Sequence, residues 1–142
     1  MELEKGIKGN IGLFLVCAEL SKRNLVVLPT FRNTRGYDLI ALNPNNNKSL
    51  GLQVKCSDKK EFPVFSSYWY NYKLELNRKV LAPFIFVDIS DLDNPTYYIL
   101  TQCEIKCLMK NKIENYIDNY CKNNNVSKED VEKREKEKKK ES

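Results

Sequence analysis

Three side chains in this sequence are of the types that can act together on a phosphate: the carboxylate of Asp38, the amide of Gln53 and the ammonium of Lys55. The run from Ser49 to Ser57 alternates, with Leu50, Leu52, Val54 and Cys56 on one side and Ser49, Gly51, Gln53, Lys55 and Ser57 on the other. Such alternation is the signature of a strand with one buried face, and it puts Gln53 and Lys55 on the same polar face. Tyr37 to Leu42 reads as a partner strand, with an Asn-rich turn over 43–48 between them. Antiparallel pairing across that turn sets Leu42 opposite Ser49 and, stepping back along both strands, Asp38 opposite Gln53. A carboxylate and a second oxygen ligand can hold a divalent cation, while a lysine beside them orients a nucleophile or offsets developing charge; phosphodiester hydrolysis fits these parts. The alternative is that Asp38 caps or pairs locally while Gln53 and Lys55 decorate a solvated sheet face.

Composition narrows the chemistry further. The chain of 142 residues contains no histidine, which removes Ser/His/Asp hydrolases, histidine-dependent nucleases and most catalytic zinc sites. Its five cysteines, at 17, 56, 103, 107 and 121, contain no CxxC pair, so they are expected as free, mostly buried thiols. Cys103 and Cys107 lie four apart on an expected helix but lack the further ligands of a four-coordinate zinc site, so packing is expected of them. The formal net charge is +5, and the segment from Ser127 onward, with seven basic and six acidic residues, contributes little of it. A mildly basic body is compatible with a nucleic-acid partner.

The elements that must carry the trio can be read in order. Apolar residues at Ile7, Ile11, Phe14, Leu15, Ala18 and Leu20 recur at helical spacing over 4–22, with Gly6, Gly9 and Gly12 weakening the first half. Leu25 to Leu28 reads as a short buried strand stopped by Pro29. Beyond the hairpin, residues 83–89 and 96–100 read as two further strands around an Asp/Asn turn, expected in the same sheet. Asp88, Asp91 and Asp93 there lack the glycine and terminal glutamate of a calcium loop and are expected to form a plain acidic turn. Residues 102–122 show helical spacing, with a break expected near Asn111. The sum is an α/β fold.

The order of helix, strand, Gly36-Tyr37-Asp38-Leu39-Ile40, turn, and Leu52-Gln53-Val54-Lys55-Cys56-Ser57 resembles the core of the PD-(D/E)XK endonucleases, over roughly residues 7–58. The resemblance implies a restriction-endonuclease-like core, like that of archaeal Holliday junction resolvases: an N-terminal helix followed by a mixed central β-sheet flanked by helices. It implies a metal-dependent nuclease acting on DNA with Mg²⁺ or Mn²⁺, in which Asp38 and Gln53 are metal ligands, Lys55 is the catalytic lysine and Val54 adds its backbone carbonyl to the metal. Gln53 departs from the family's acid. In the first helix Leu13 stands near the place where many relatives have a glutamate, and Glu19 is the one candidate to replace it. A catalytically degenerate nucleic-acid-binding or interaction module on the same fold is the alternative.

Remaining features supply candidate contacts. Arg32 and Arg35 precede the Asp38 strand and, with Lys59 and Lys60 after Lys55, are candidates for phosphate contact. Phe62, Phe65, Tyr68, Trp69, Tyr70 and Tyr72, beside Lys73, could stack bases or else fill core or a homodimer interface. One domain is expected over 1–125, with 126–142 a charged tail that is either a solvated helix or disordered, since Val131 is its only apolar residue from Ser127 on. No apolar run approaches the roughly 18 residues needed to cross a bilayer; a cytoplasmic protein without a membrane partner is expected.

Overall fold

A computed structural model describes residues 3–30, 36–62 and 80–138. It divides into two compact units, Met1–Pro63 with Val80–Ile105, and Val64–Lys79 with Lys106–Ser142.

The first unit opens with helix α1 (Lys5–Lys22). Its end follows from one residue: Asn24 takes the left-handed conformation, φ 61°, which an asparagine tolerates. That lets the Asn24 and Leu25 N–H groups donate back to Ser21 and Leu20 carbonyls at 2.9 and 3.2 Å, closing the helix and aiming the chain into the sheet. The buried side of α1 is phased differently from expectation. Gly12 and Val16 are its buried residues, while Ile7 and Phe14, a heptad apart, are exposed, Phe14 by 65%. Gly12 explains the phase, because a Cβ there would stand 2.5 Å from the Cβ of Cys56. The glycine read as a weak point is where the helix backbone lies against the sheet.

Among the described residues, five strands form a mixed sheet: β1 (Val26–Pro29), β2 (Leu39–Asn43), β3 (Lys48–Ser57), β4 (Phe84–Asp88) and β5 (Thr96–Leu100), in that spatial order. The β2–β3 hairpin has the expected register, Leu42 opposite Ser49. Its turn is shorter than expected because Asn43 and Lys48 already pair, with Asn47 at φ 56° completing the reversal. β3 pairs antiparallel with β2 over 48–52 and then parallel with β4 over 53–57, so it changes neighbours between Leu52 and Gln53. β4, an inner strand between β3 and β5, has all five residues buried.

The core lies on the α1 side of the sheet. Val16, Leu39, Ala41, Leu52, Ile85, Val87 and Ile89 form it, with Leu13, Leu20, Leu25, Val54 and Cys56 packed around. Leu50, expected on this face, is exposed, although its cross-strand partner Ala41 belongs to the cluster. On the opposite face Phe84 and Phe86 stack at 5.8 Å.

Helix α2 (Gln102–Asn124) is continuous, without the break expected near Asn111. An interior asparagine costs well under 1 kcal/mol, and the buried stripe Ile105, Met109, Ile113 and Ile117 runs through it. Cys103 and Cys107, expected to pack, are exposed because two residues of offset from that stripe put them on the other side of the helix. The other three cysteines are half-buried. In the second unit, α3 (Lys128–Lys138) makes a helix of the charged tail. Lys128 pairs with Asp118 at 2.7 Å and Arg134 donates to the Tyr120 hydroxyl, joining α3 to α2. No helix among the described residues is long and apolar enough to cross a membrane.

Candidate functional site

The change of partner in the middle of β3 creates the site. Just before β2 begins at Leu39, the Asp38 N–H donates to the Leu52 carbonyl at 2.8 Å, and the Gln53 N–H turns to the Pro83 carbonyl at 3.0 Å on the β4 side. The Val54 N–H is thereby left without a strand partner on the β2 side. The Asp38 carboxylate supplies one: its Oδ2 accepts from Val54 N at 2.7 Å, a charge-assisted bond. One carboxylate oxygen is therefore anchored on β3 between Gln53 and Lys55.

Several local constraints hold Asp38 there. Gly36 sits at φ 90°, where a side chain would also run into Leu81, so only glycine delivers the chain at this angle. Thr30 clasps the next two residues, its hydroxyl donating to the Tyr37 carbonyl at 2.7 Å and its N–H to the Asp38 carbonyl at 3.0 Å. The Tyr37 ring lies over Gly51, filling the space a Cβ would need. Gly36 and Gly51 thus have steric reasons that spacing alone did not reveal.

Because Leu52, Val54 and Cys56 pack toward α1, the pleat directs Gln53 and Lys55 to the opposite face. Gln53 is half-buried and Lys55 exposed; no hydrogen bond or ion pair engages either side chain among the described residues. Asp38, half-buried, completes the expected trio at the fork of the sheet. Of the remaining candidates, Val54 uses its N–H for Asp38 and its side chain for the core. Lys59 and Lys60 are exposed just past the end of β3, and Lys60 helps hold the Asp88 carboxyl low, after the larger effect of the Ser90 N–H. Arg32 and Arg35, and the aromatic run beyond Phe62 from Phe65 to Tyr72 with Lys73, lie outside the described residues.

Glu19 does not join the trio, a correction to its candidacy. Its carboxylate accepts from Lys22 and Arg23, each at 2.7 Å, and these bonds, Arg23 first, hold its pKa below the usual range. It lies on α1, on the side of the sheet away from Lys55, with Tyr97 close enough to feel its charge. Leu13 packs against the core.

Other contacts had no clear warning in the sequence. Lys8 reaches both oxygens of Asp58 at 3.0 and 3.1 Å, tying the start of α1 to the end of β3 and holding the Asp58 carboxyl low. Asp88 and Asp91 close their own turn through the N–H groups of Ser90, Asp93 and Asn94, as expected for a plain acidic turn. Among the described residues no group of three or more Cys, Asp or Glu is arranged to hold a metal. Asp38 and Gln53 offer one carboxylate and one amide oxygen, a donor set that fits Mg²⁺ bound together with water and substrate phosphate rather than in a protein cage. Comparison of the chain with models of known families, with curated proteins and with solved structures returns no match.

Proposed function

We propose that the first unit is a restriction-endonuclease-like core and that the protein is a metal-dependent nuclease hydrolysing phosphodiester bonds in DNA. The observation that supports this best is the Asp38 carboxylate anchored at Val54, between the unengaged side chains of Gln53 and Lys55. In this reading Asp38 and Gln53, with the Val54 carbonyl, hold Mg²⁺ or Mn²⁺. The ion supplies charge neutralisation at the phosphate and lowers the pKa of water. Asp38 is prepositioned for this, since the Val54 N–H fixes one carboxylate oxygen and leaves the other available. Lys55 places an ammonium beside the same phosphate, where it donates to a non-bridging oxygen and offsets the charge that develops as the bond breaks. Gln53 orients without adding charge, so metal binding is expected to be weak and to depend on substrate.

A second reading, a non-catalytic nucleic-acid-binding or interaction module on the same fold, is favoured by Gln53 in place of an acid and by Leu13 packed in the core. Cleavage of plasmid and single-stranded DNA with Mg²⁺ or Mn²⁺ separates the two readings. Activity lost in both Asp38→Ala and Lys55→Ala, with both variants folded, supports the nuclease. Wild-type protein inert on every substrate supports the module, and activity that survives both substitutions assigns the cleavage elsewhere.

A further inference from the structure

Past Lys55, the outer face of the sheet carries an aromatic row. Lys55 is opposite Phe86, and Phe86 is opposite Tyr98 on β5. Phe86 is buried, but Tyr98 is half exposed (50%) although it belongs to the same row. Phe62 meets both rings edge-on, at 5.0 Å and 66° from Phe86 and at 6.4 Å and 69° from Tyr98. Tyr98 is thus a ring braced from one side and open to solvent on the other. Two strand steps separate it from Lys55, roughly 10 Å. Lys60 flanks the same face near Asp88, whose carboxylate is already occupied by Ser90.

We propose that Tyr98 is a base-stacking platform and that the ligand of this face is single-stranded nucleic acid, its phosphate at Lys55 and a neighbouring base on the Tyr98 ring. The placement of the phosphate rests on the nuclease reading; the stacking platform does not. Cations paired with a braced aromatic ring make up the usual grip on single strands, which combines charge along the backbone with rings that take any base. A fully stacked duplex fits poorly, since its base faces already cover one another and an enzyme that needs a free base must first unstack it. Phe62 supplies the rigidity, and a preordered ring loses little freedom when a base lands on it.

The test is binding of fluorescent DNA to the full-length chain without divalent metal, so that no cleavage contributes. The ligands are a single strand, the same strand without bases at its central positions, and a blunt duplex. Wild type is expected to prefer the intact single strand. Tyr98→Ala is expected to weaken that binding on the order of ten-fold while leaving the abasic strand unaffected, and Tyr98→Phe to bind like wild type. Circular dichroism verifies that each variant keeps its fold. Equal affinity of Tyr98→Ala and wild type for the intact strand would overturn the proposal. So would a loss as large on the abasic strand, or a wild-type preference for duplex. Cleavage with Mg²⁺ is scored separately: a wild type that cuts nothing yet binds bases through Tyr98 sinks the nuclease reading and keeps the platform.

Discussion

Asp38 serves structure and proposed chemistry with the same carboxylate, and the two roles can be separated by choice of substitution. Asparagine keeps an oxygen able to accept from Val54 N but removes the charge; alanine removes both. Asp38→Ala is expected to leave the Val54 N–H unpaired and lose about 1–3 kcal/mol in urea denaturation, whereas Asp38→Asn should lose well under half of that. Both should abolish metal-dependent cleavage. An Asp38→Ala variant as stable as the wild type would show that the 2.7 Å bond contributes nothing to the fold. The trio was legible because it rests on strand periodicity and one short turn, both local. Tyr98 was not, since its significance arises only when β5 is set beside β4 and Phe62 folds back against them.

The helices are delimited by short polar signals. Thr101 and Glu104 form a reciprocal cap at the start of α2, the Glu104 carboxylate accepting from Thr101 N at 2.7 Å and the Thr101 hydroxyl accepting from Glu104 N at 3.3 Å. Ser127 and Asp130 repeat the device for α3. α3 has little apolar surface, so the cap matters more there. Ser127→Ala is expected to cost about 1 kcal/mol of local stability, read as faster amide exchange in α3, with exchange in β3 and β4 unchanged. Unaltered exchange in α3 would mean that Lys128 with Asp118 and Arg134 with Tyr120 suffice. Both caps are a hydroxyl three residues before an acid, and the second opens a helix in the charged segment that composition left open between a solvated helix and disorder. The phase of α1 was not legible in the same way: Phe14 and Val16 look equally apolar, and only the contact of Gly12 with Cys56 selects between them.

At the scale of the whole molecule, titration acts from both ends of the pH range. Asp58 beside Lys8, Asp88 at the Ser90 N–H, Glu104 at Thr101 and Asp130 at Ser127 all have carboxyls held below their usual values. The unfolded chain therefore binds protons that the native one refuses. The stability these groups contribute is present above the ordinary carboxylate range and is lost as pH falls through their depressed values. Burial pushes the Cys17 and Cys56 thiols up, so their contribution is present below the ordinary thiol range and is lost as pH rises through the raised values. The melting temperature should thus be flat near neutrality and fall below about pH 4 and above about pH 9. Asp58→Asn should shallow the acid limb alone and Cys56→Ala the alkaline limb alone; unchanged limbs would remove these groups from the account. The pairing of β3 with β4 was beyond local reading, because the long connection between them leaves no turn from which a register could be counted.

The alternation of β3 also sets what kind of heritable change this protein can absorb. Residues can be gained or lost in the exposed turn at 44–47 as long as the new turn keeps Leu42 opposite Ser49, because turn length sets the register of the hairpin. A single residue inserted between Gly51 and Gln53 shifts the reading frame of the pleat instead: Gln53 and Lys55 would swing toward Val16 and Ile85, Val54 would swing out to solvent, and an ammonium would be forced into the core. Substitutions can retune this site one side chain at a time, but a length change within the strand removes the site and the fold in one step.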